Sequence, residues 1–239
     1  MAKSKPKKIG ICAYCGQTKP LTRDHVIPEC LFEKPLPSFM VTVSACEDCN
    51  GGKAKHDDYL RDMLTTDIST AGNKTAKILL EGKVLRSAQT NRSQIAKAAK
   101  RSARLEAIHT KAGIYLGHAY SIPLEEDRVN GIYTTIVRGL YFYLMKKPLP
   151  QDCQFEVRKM TSDAEEGWEQ IKKIGFNGPY KLGQDVFTCI FMYADEENAI
   201  SQWWMWFYES ICIYVSTCPS NWDAETLTPK AIESPKENI

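Results

Sequence analysis

The pair Asp24-His25 is the part of the sequence best suited to acid–base or metal chemistry. It lies in the segment Leu21–Glu29, which reads LTRDHVIPE, and a second polar segment, Asn50–Tyr59, reads NGGKAKHDDY. Carboxylate and amide oxygens suit a hard divalent cation such as Mg²⁺. An imidazole side chain can take a proton from water near neutral pH. We therefore predict that Asp24 and Asn50 hold Mg²⁺ or another divalent cation beside His25, which acts as general base.

Four cysteines form two Cys-x-x-Cys pairs on either side of the Asp-His pair. Cys12 and Cys15 are followed, after 30 intervening residues, by Cys46 and Cys49. Two such pairs are typical of a closed tetrahedral zinc site, which has a structural role because no coordination position stays open. The alternative is a chance pairing of buried cysteines. The other five cysteines lack ligand spacing, and core filling is the simplest interpretation of most of them.

The combined pattern C-x2-C, L-x2-DHVIP and C-x2-CN-x2-K resembles the HNH endonuclease family over roughly residues 10–62. The resemblance implies a ββα-metal module with a zinc-binding cysteine frame, which we place at residues 10–66. It implies metal-dependent hydrolysis of phosphodiester bonds in DNA, as an endonuclease or nickase. His25 then corresponds to the family's general base, Asp24 and Asn50 to its metal ligands, and Lys53 to a residue near the phosphate.

One departure from the family pattern leaves other functions open. Most members carry a middle Asn that orients the histidine, and the stretch 35–45 contains no Asn. Thr42, Ser44 or a backbone group are the possible substitutes. The alternative function is a catalytically inactive, zinc-stapled nucleic-acid-binding protein, and a third is a protein-interaction module. His56 lies six residues after Asn50, on a different helix face, and we expect it to face solvent or DNA.

The charge distribution indicates a polyanionic partner for the first half of the chain. Residues 1–111 contain 20 Lys and Arg against 11 Asp and Glu, whereas residues 112–239 contain 11 against 18. Clustered cations supply sequence-independent affinity for phosphates, and the HNH resemblance implies that this polyanion is DNA, double-stranded. The alternative is a solvated surface. The predicted nucleic-acid-binding residues are Arg23, Lys53, Lys55, Lys97, Lys100, Arg101 and Arg104.

The helices and strands predicted from the sequence to position these residues indicate an α+β fold. After a flexible basic arm (1–9) and the HNH module (10–66), we expect a linker and basic helix (67–112), a mixed α/β C-terminal domain (113–220) and a loosely ordered tail (221–239). Helix formers without internal Gly or Pro predict a helix over Ser93–Thr110 with Ser93 as N-cap.

The C-terminal half contains one apolar stretch that favours a helix and three that favour strands. We predict a helix over Asn130–Lys146 and strands within Gln154–Arg158, Asp185–Tyr193 and Ser201–Thr217. The aromatic residues 203–208 most simply fill a core, and a base-stacking platform is the alternative.

The sequence contains neither an apolar run long enough to cross a membrane nor a secretory h-region. We therefore expect a cytoplasmic protein with no membrane partner. The C-terminal domain offers a possible route to oligomers.

Overall fold

A computed structural model of the chain describes residues 8–110, 112–160, 175–195 and 199–220. Both helices and sheets are present, as the α+β class predicts. The predicted tail over 221–239 and most of the predicted basic arm lie outside the described residues.

A three-stranded antiparallel sheet and a long helix form the N-terminal part. The strands pair in the order β1-β2-β3, and Asp24 lies opposite Val43 while His25 lies opposite Thr42. The helix begins directly where β3 ends, so the chain runs strand–strand–helix around the Asp-His pair. The elements are β1 (Ile9–Ile11), β2 (Thr18–His25), β3 (Thr42–Cys46) and α1 (Glu47–Thr66).

Short helices and a hairpin connect this part to the rest of the chain. A π-helical segment, Leu80–Val84, lies between the helices Lys74–Leu79 and Leu85–Gln89. The helices Lys74–Leu79 and Gln94–Ser102 have Asn73 and Ser93 as N-caps, whose side chains accept hydrogen bonds from backbone N–H groups. The elements are α2 (Lys74–Leu79), α3 (Leu85–Gln89), α4 (Gln94–Ser102), β4 (Arg104–His109) and β5 (Tyr115–Ser121).

The predicted helix over Ser93–Thr110 is confirmed in its first half and wrong in its second half. Ser93 is the N-cap as predicted, but the helix ends at Ser102, and Ala103 has extended backbone angles. Residues 104–109 instead form β4, which pairs with β5. Helix propensity is a weak preference, and the backbone hydrogen bonds supplied by a partner strand outweigh it here.

Among the described residues, the C-terminal part contains one long helix and a five-stranded antiparallel sheet in the order β6-β10-β9-β8-β7. The predicted helix is confirmed with an earlier start, and the aromatic stretch 201–217 contains two strands joined by a tight turn. The elements are α5 (Glu126–Met145), β6 (Gln154–Met160), β7 (Asn177–Leu182), β8 (Phe187–Asp195), β9 (Ile200–Phe207) and β10 (Ile211–Cys218).

One hydrophobic core runs from the N-terminal sheet to the C-terminal sheet. Trp203, Phe207 and Tyr208 are fully buried in it, which confirms the core-filling interpretation of the aromatic stretch. Helix α5 packs closely at Gly139 against Val26, the residue directly after β2, since an added Cβ would lie 2.8 Å from Val26 Cγ1. The C-terminal part therefore packs against the chain immediately after the Asp-His pair.

Candidate functional site

The four cysteines of the two Cys-x-x-Cys pairs form one cluster. Their Sγ atoms all lie within 4.8 Å of one another, and the arrangement could hold a metal ion such as zinc. The first pair lies in the turn between β1 and β2, where the Cys12 carbonyl accepts a hydrogen bond from the Gly16 N–H. The second pair spans the junction of β3 and α1, because Cys46 is the N-cap residue of the helix. The cluster therefore ties this turn to the start of the helix.

Backbone N–H groups favour the thiolate form of Cys12, whereas burial raises the pKa of Cys15 and of Cys49. Burial raises the pKa of Cys12, but hydrogen bonds from the backbone of Cys15, Cys46 and Tyr14 outweigh it and lower that pKa to about 7. The Cys46 N–H donates to Cys12 Sγ over 3.3 Å. A thiolate is the form that binds metal, so the local backbone prepares this site for a cation.

His25 is held at the end of β2 by a carboxylate four residues further along the chain. Its Nδ1 atom lies 2.9 Å from Glu29 Oε1, and the imidazole is 25% exposed. Glu29 belongs to a 3-10 turn, Glu29–Leu31, that follows Pro28. When the Nδ1–H donates to this carboxylate, the Nε2 atom keeps its lone pair and can accept a proton.

The neighbouring Asp24 is buried and has two hydrogen-bonding partners. The Tyr14 hydroxyl donates to Asp24 Oδ2, and Lys53 Nζ lies 3.4 Å from each carboxylate oxygen. Burial and the Asp24 charge raise the pKa of Tyr14, so its hydroxyl stays protonated and donates. Asp24 is thus a buried carboxyl group that contacts one ammonium from α1.

Lys53 joins three groups at this corner of the site. Its Nζ atom donates to the His25 carbonyl oxygen over 2.5 Å and lies 3.9 Å from Asp57 Oδ1. Burial raises the pKa of Asp57 to about 6, and the Lys53 ammonium opposes that shift. Two carboxylates therefore converge on one positive charge next to the Asp-His pair.

Asn50 lies on the first turns of α1 and contacts the backbone of β2. Its Nδ2 atom donates to Thr22 Oγ1 over 3.0 Å and to the Arg23 carbonyl oxygen over 3.4 Å. Asp24 and His25 line a common cavity, and Asn50 is absent from its lining. In this conformation the amide fastens the helix to the strand beside the predicted metal site.

The cavity beside His25 has a volume of about 420 Å³ and is polar. Two cations that come from distant segments lie in its wall: Lys34 from the loop after β2 and Lys83 from the π-helical segment. The other lining residues are Asp24, His25, Pro28, Glu29, Cys30, Leu36, Lys53, Ala54, Asp57 and Asp58. A space with an imidazole, carboxylates and several ammonium groups can accommodate a phosphate and a cation together.

In the described part of the chain, no group of three or more His, Cys, Asp or Glu ligand atoms comparable to the cysteine cluster surrounds Asp24. Mg²⁺ characteristically keeps several water ligands and uses one or two carboxylates plus substrate phosphate oxygens. Asp24 is one such carboxylate, and in this structure its oxygens contact the Tyr14 hydroxyl and the Lys53 ammonium.

The residues predicted to bind nucleic acid fall into three places. Arg23 precedes Asp24 in β2, and successive side chains of a strand point to opposite faces. Arg23 therefore lines a cavity separate from that of Asp24, with a volume of about 450 Å³ and with Lys8, Thr22 and Lys146 in its wall. Lys53 is buried against Asp24. The others lie on α1, α4 and β4, where all but the half-buried Lys97 are exposed: Lys55, Lys97, Lys100, Arg101 and Arg104.

The expectation that His56 faces solvent or DNA is wrong in its main point. His56 is half-buried, and its Nδ1 atom accepts a hydrogen bond from Arg128 Nε over 2.9 Å. Arg128, on α5, also lies over the Tyr59 ring at 4.0 Å. The helix face behind the predicted catalytic residues thus contacts α5, which a count of helix positions alone does not reveal.

Glu29, Lys34 and Lys83 line the cavity but were not predicted from the sequence as site residues. Glu29 stood within the quoted LTRDHVIPE segment, and its position four residues after His25 was a usable signal. Lys34 and Lys83 carried no such signal, since their convergence depends on tertiary packing.

Comparison with known proteins finds no match among family models, curated proteins or solved structures. Within the described residues, none of the helices combines the length and apolar character needed to cross a membrane.

Proposed function

We propose that the chain is a metal-dependent HNH-type endonuclease or nickase that hydrolyses phosphodiester bonds in DNA. The observation that supports this most is the shared cavity: His25, held by Glu29, and the buried Asp24 both line it, with Lys34 and Lys83 in the same wall. The strand–strand–helix order around this pair is the one that a ββα-metal module requires.

In this proposal His25 activates the attacking water. The imidazole Nε2 accepts a proton from water while the water oxygen forms a bond to phosphorus, and the bond between phosphorus and the 3′ oxygen breaks. Glu29 fixes the imidazole orientation through Nδ1 and stabilises the positive charge that the ring gains. Glu29 would therefore supply the positioning that the family's middle Asn supplies elsewhere.

Asp24 and Asn50 are the residues that would hold the divalent cation. A bound cation would neutralise phosphate charge and stabilise the leaving 3′ oxygen. In the structure the Lys53 ammonium lies beside Asp24, so Lys53 would have to move away for the cation to bind. Asn50 would have to release its hydrogen bond to Thr22 and turn its amide oxygen toward Asp24.

Zinc in the cysteine cluster would have a structural role. Four sulfur ligands leave no open coordination position, and the cluster ties the turn before β2 to the N-terminus of α1. Strand β2 carries Asp24 and His25, and helix α1 carries Lys53. The zinc would therefore set the distance between the strand and the helix that form the site.

The test is incubation of supercoiled plasmid with the full chain and Mg²⁺ or Mn²⁺. Wild type should convert the plasmid to nicked or linear DNA, and His25→Ala should lose at least about a hundredfold in initial rate. Zinc content and thermal melting equal to wild type would show that the variant is folded. Equal rates for wild type and a folded His25→Ala would refute the catalytic assignment.

An inactive nucleic-acid-binding protein is the second candidate. It is favoured by the missing middle Asn and by the Lys53 ammonium, which fills the corner beside Asp24. Salt-dependent binding to duplex DNA without cleavage under Mg²⁺, Mn²⁺ or Ca²⁺ would select this function.

A further inference from the structure

The hairpin of β4 and β5 exposes side chains on both of its faces. On one strand Arg104, Leu105, Glu106 and Ala107 are all exposed, and on the other Tyr115, Leu116, His118 and Tyr120 are exposed. A two-stranded hairpin is marginally stable in water unless something packs on it. Within the described chain this hairpin is therefore an extension of the fold that lacks a covering layer.

One face of the hairpin is aromatic. The strand register places Leu105 opposite Tyr120, Ala107 opposite His118 and His109 opposite Tyr115. Directly opposed residues of an antiparallel pair share a face. We call this surface the aromatic face; it consists of Leu105, Ala107, His109, Tyr115, His118 and Tyr120.

Contacts within the aromatic face keep its side chains ordered. The Tyr115 ring lies 5.6 Å from the His109 ring and 5.4 Å from the His118 ring, measured between centroids. The Tyr115 hydroxyl and His118 Nδ1 are 2.6 Å apart. An exposed surface ordered in this way loses little side-chain entropy when it binds a partner.

The exposed apolar side chains are concentrated in this hairpin. Of the 13 large hydrophobic residues exposed in the described chain, five belong to it: Leu105, Ile114, Tyr115, Leu116 and Tyr120. Tyr120 is 71% exposed. A concentration of this kind marks a surface that contacts another molecule.

The charge of the adjoining helix identifies the kind of partner. Helix α4 runs directly into β4 and packs against α1. Between Arg92 and Lys111 the sequence has six Lys and Arg residues and a single acidic residue, Glu106. Cations beside a ribbon rich in Tyr and His complement a polyanion that presents both phosphates and base edges.

We propose that the β4–β5 hairpin lies in the major groove of B-form DNA while α4 contacts the adjacent phosphates. This inference rests on the proposed function, because it names how that site would hold its duplex. The B-DNA major groove, about 12 Å wide, admits a two-stranded β-ribbon. Strands of six and seven residues span roughly 20 Å at about 3.3 Å per residue, which is enough to follow several base pairs along the groove.

The aromatic face is the one that meets the base edges. Tyr and His side chains can donate and accept hydrogen bonds there, and Leu105 can pack on a thymine methyl group. Lys100, Arg101 and Arg104 are exposed at the base of the hairpin, where they would contact the backbone. The hairpin would thereby position the duplex along α1, which carries Lys53.

The test measures binding of a short labelled duplex in a His25→Ala background, so that cleavage does not interfere. Leu105→Ser/Tyr120→Ser removes the two largest opposed side chains of the aromatic face. Ile68→Ser is the matched control, since Ile68 is 63% exposed against 59% for Leu105 and lies outside the hairpin. Melting temperature and zinc content verify that each variant is folded.

We expect the double variant to bind the DNA duplex about tenfold more weakly than the control. Its salt dependence should be unchanged, whereas Arg101→Gln should reduce the slope of log K against log salt by about one. Wild type should also prefer B-form DNA to double-stranded RNA of the same sequence, since the deep, narrow major groove of A-form RNA excludes a ribbon.

Three outcomes would overturn the hairpin inference. The first is that the double variant and Ile68→Ser bind the DNA duplex with equal affinity. The second is that wild type binds DNA and RNA duplexes with equal affinity. The third is that wild type forms a dimer, which the double variant loses while its affinity for DNA stays unchanged. The last would assign the aromatic face to a second copy of the chain. DNA cleavage is measured separately in proteins with intact His25. If wild type does not cleave DNA but the double variant binds DNA more weakly, the nuclease proposal is rejected and the hairpin proposal stands.

Discussion

His25 Nδ1 and Glu29 Oε1 lie 2.9 Å apart, so a carboxylate from the turn after β2 fixes the orientation of the imidazole. A carboxylate partner selects the tautomer that leaves Nε2 free to accept a proton. In the proposed function this pair would replace, within one short segment, an orienting contact that the HNH pattern takes from a separate loop.

Glu29→Ala is therefore expected to lower the cleavage rate about 10- to 100-fold without abolishing it. The imidazole remains in the cavity but samples other orientations. Initial rates on supercoiled plasmid measure the loss. Glu33→Ala is the control, because Glu33 is an exposed acid of the same loop. Equal rates for the two variants would remove Glu29 from the mechanism.

Lys83→Met should raise the KM for DNA about fivefold and leave kcat within about twofold, since the ammonium binds phosphate before and during the reaction alike. Steady-state kinetics on a labelled duplex separates the two constants. Lys77→Met, an exposed lysine six residues earlier in the same helical region, is the charge-matched control. A fall in kcat alone would show that Lys83 acts on the transition state instead.

Cys46→Ser should release zinc and lower the free energy of unfolding by at least about 3 kcal/mol, because metal binding at such a site contributes directly to folding. Cys46 is buried and its N–H donates to Cys12 Sγ. Metal content and urea unfolding are the measurements. Cys218→Ser, a half-buried cysteine of β10, should keep both zinc and stability. A Cys46→Ser protein that melts like wild type after losing its metal would contradict the structural role.

The contact between His56 and Arg128 should make stability depend on pH. Burial, then the charges of Arg128 and Lys55, lower the pKa of His56 below 6.5, and Glu125 opposes them. The folded protein therefore resists protonation of this imidazole, and its Nδ1 can accept the Arg128 hydrogen bond only while unprotonated. The resulting stability is fully present above about pH 6.5 and is lost as the pH falls through the folded pKa.

The expected loss is about 1 kcal/mol between pH 7.5 and 5, the net worth of one hydrogen bond. Urea unfolding at both pH values measures it. His56→Gln should show a correspondingly smaller change, whereas His118→Gln, on the exposed hairpin, should behave as wild type. An identical pH dependence in all three proteins would exclude His56 as the titrating group.

Local signals predicted the parts of the site that depend on neighbours in sequence. The Cys-x-x-Cys pairs indicated a clustered set of four sulfurs, and the segment after Cys49 indicated a helix carrying Lys53; both are present. The strand that carries Asp24 was expected from the ββα order that the HNH resemblance implies, not from a local pattern of polar and apolar residues.

Long-range packing determined what the sequence did not reveal. Arg128 reaches His56 from 72 residues away, and Lys83 reaches the cavity through a π-helical segment. The stretch 104–109 consists of residues that suit a helix, yet pairing with Tyr115–Ser121 makes it a strand. No pattern within either strand of the hairpin specifies that pairing, so propensity alone led to the wrong element.

The position of Mn²⁺ in a crystal of the full chain, located by its anomalous scattering, tests the proposed metal site most directly. We expect a Mn²⁺ ion in the cavity beside His25, within coordination distance of an Asp24 carboxylate oxygen and of the Asn50 amide oxygen, with Lys53 displaced from Asp24. A saturated crystal in which Asp24 keeps its contacts to Tyr14 and Lys53 and binds no Mn²⁺ would contradict it.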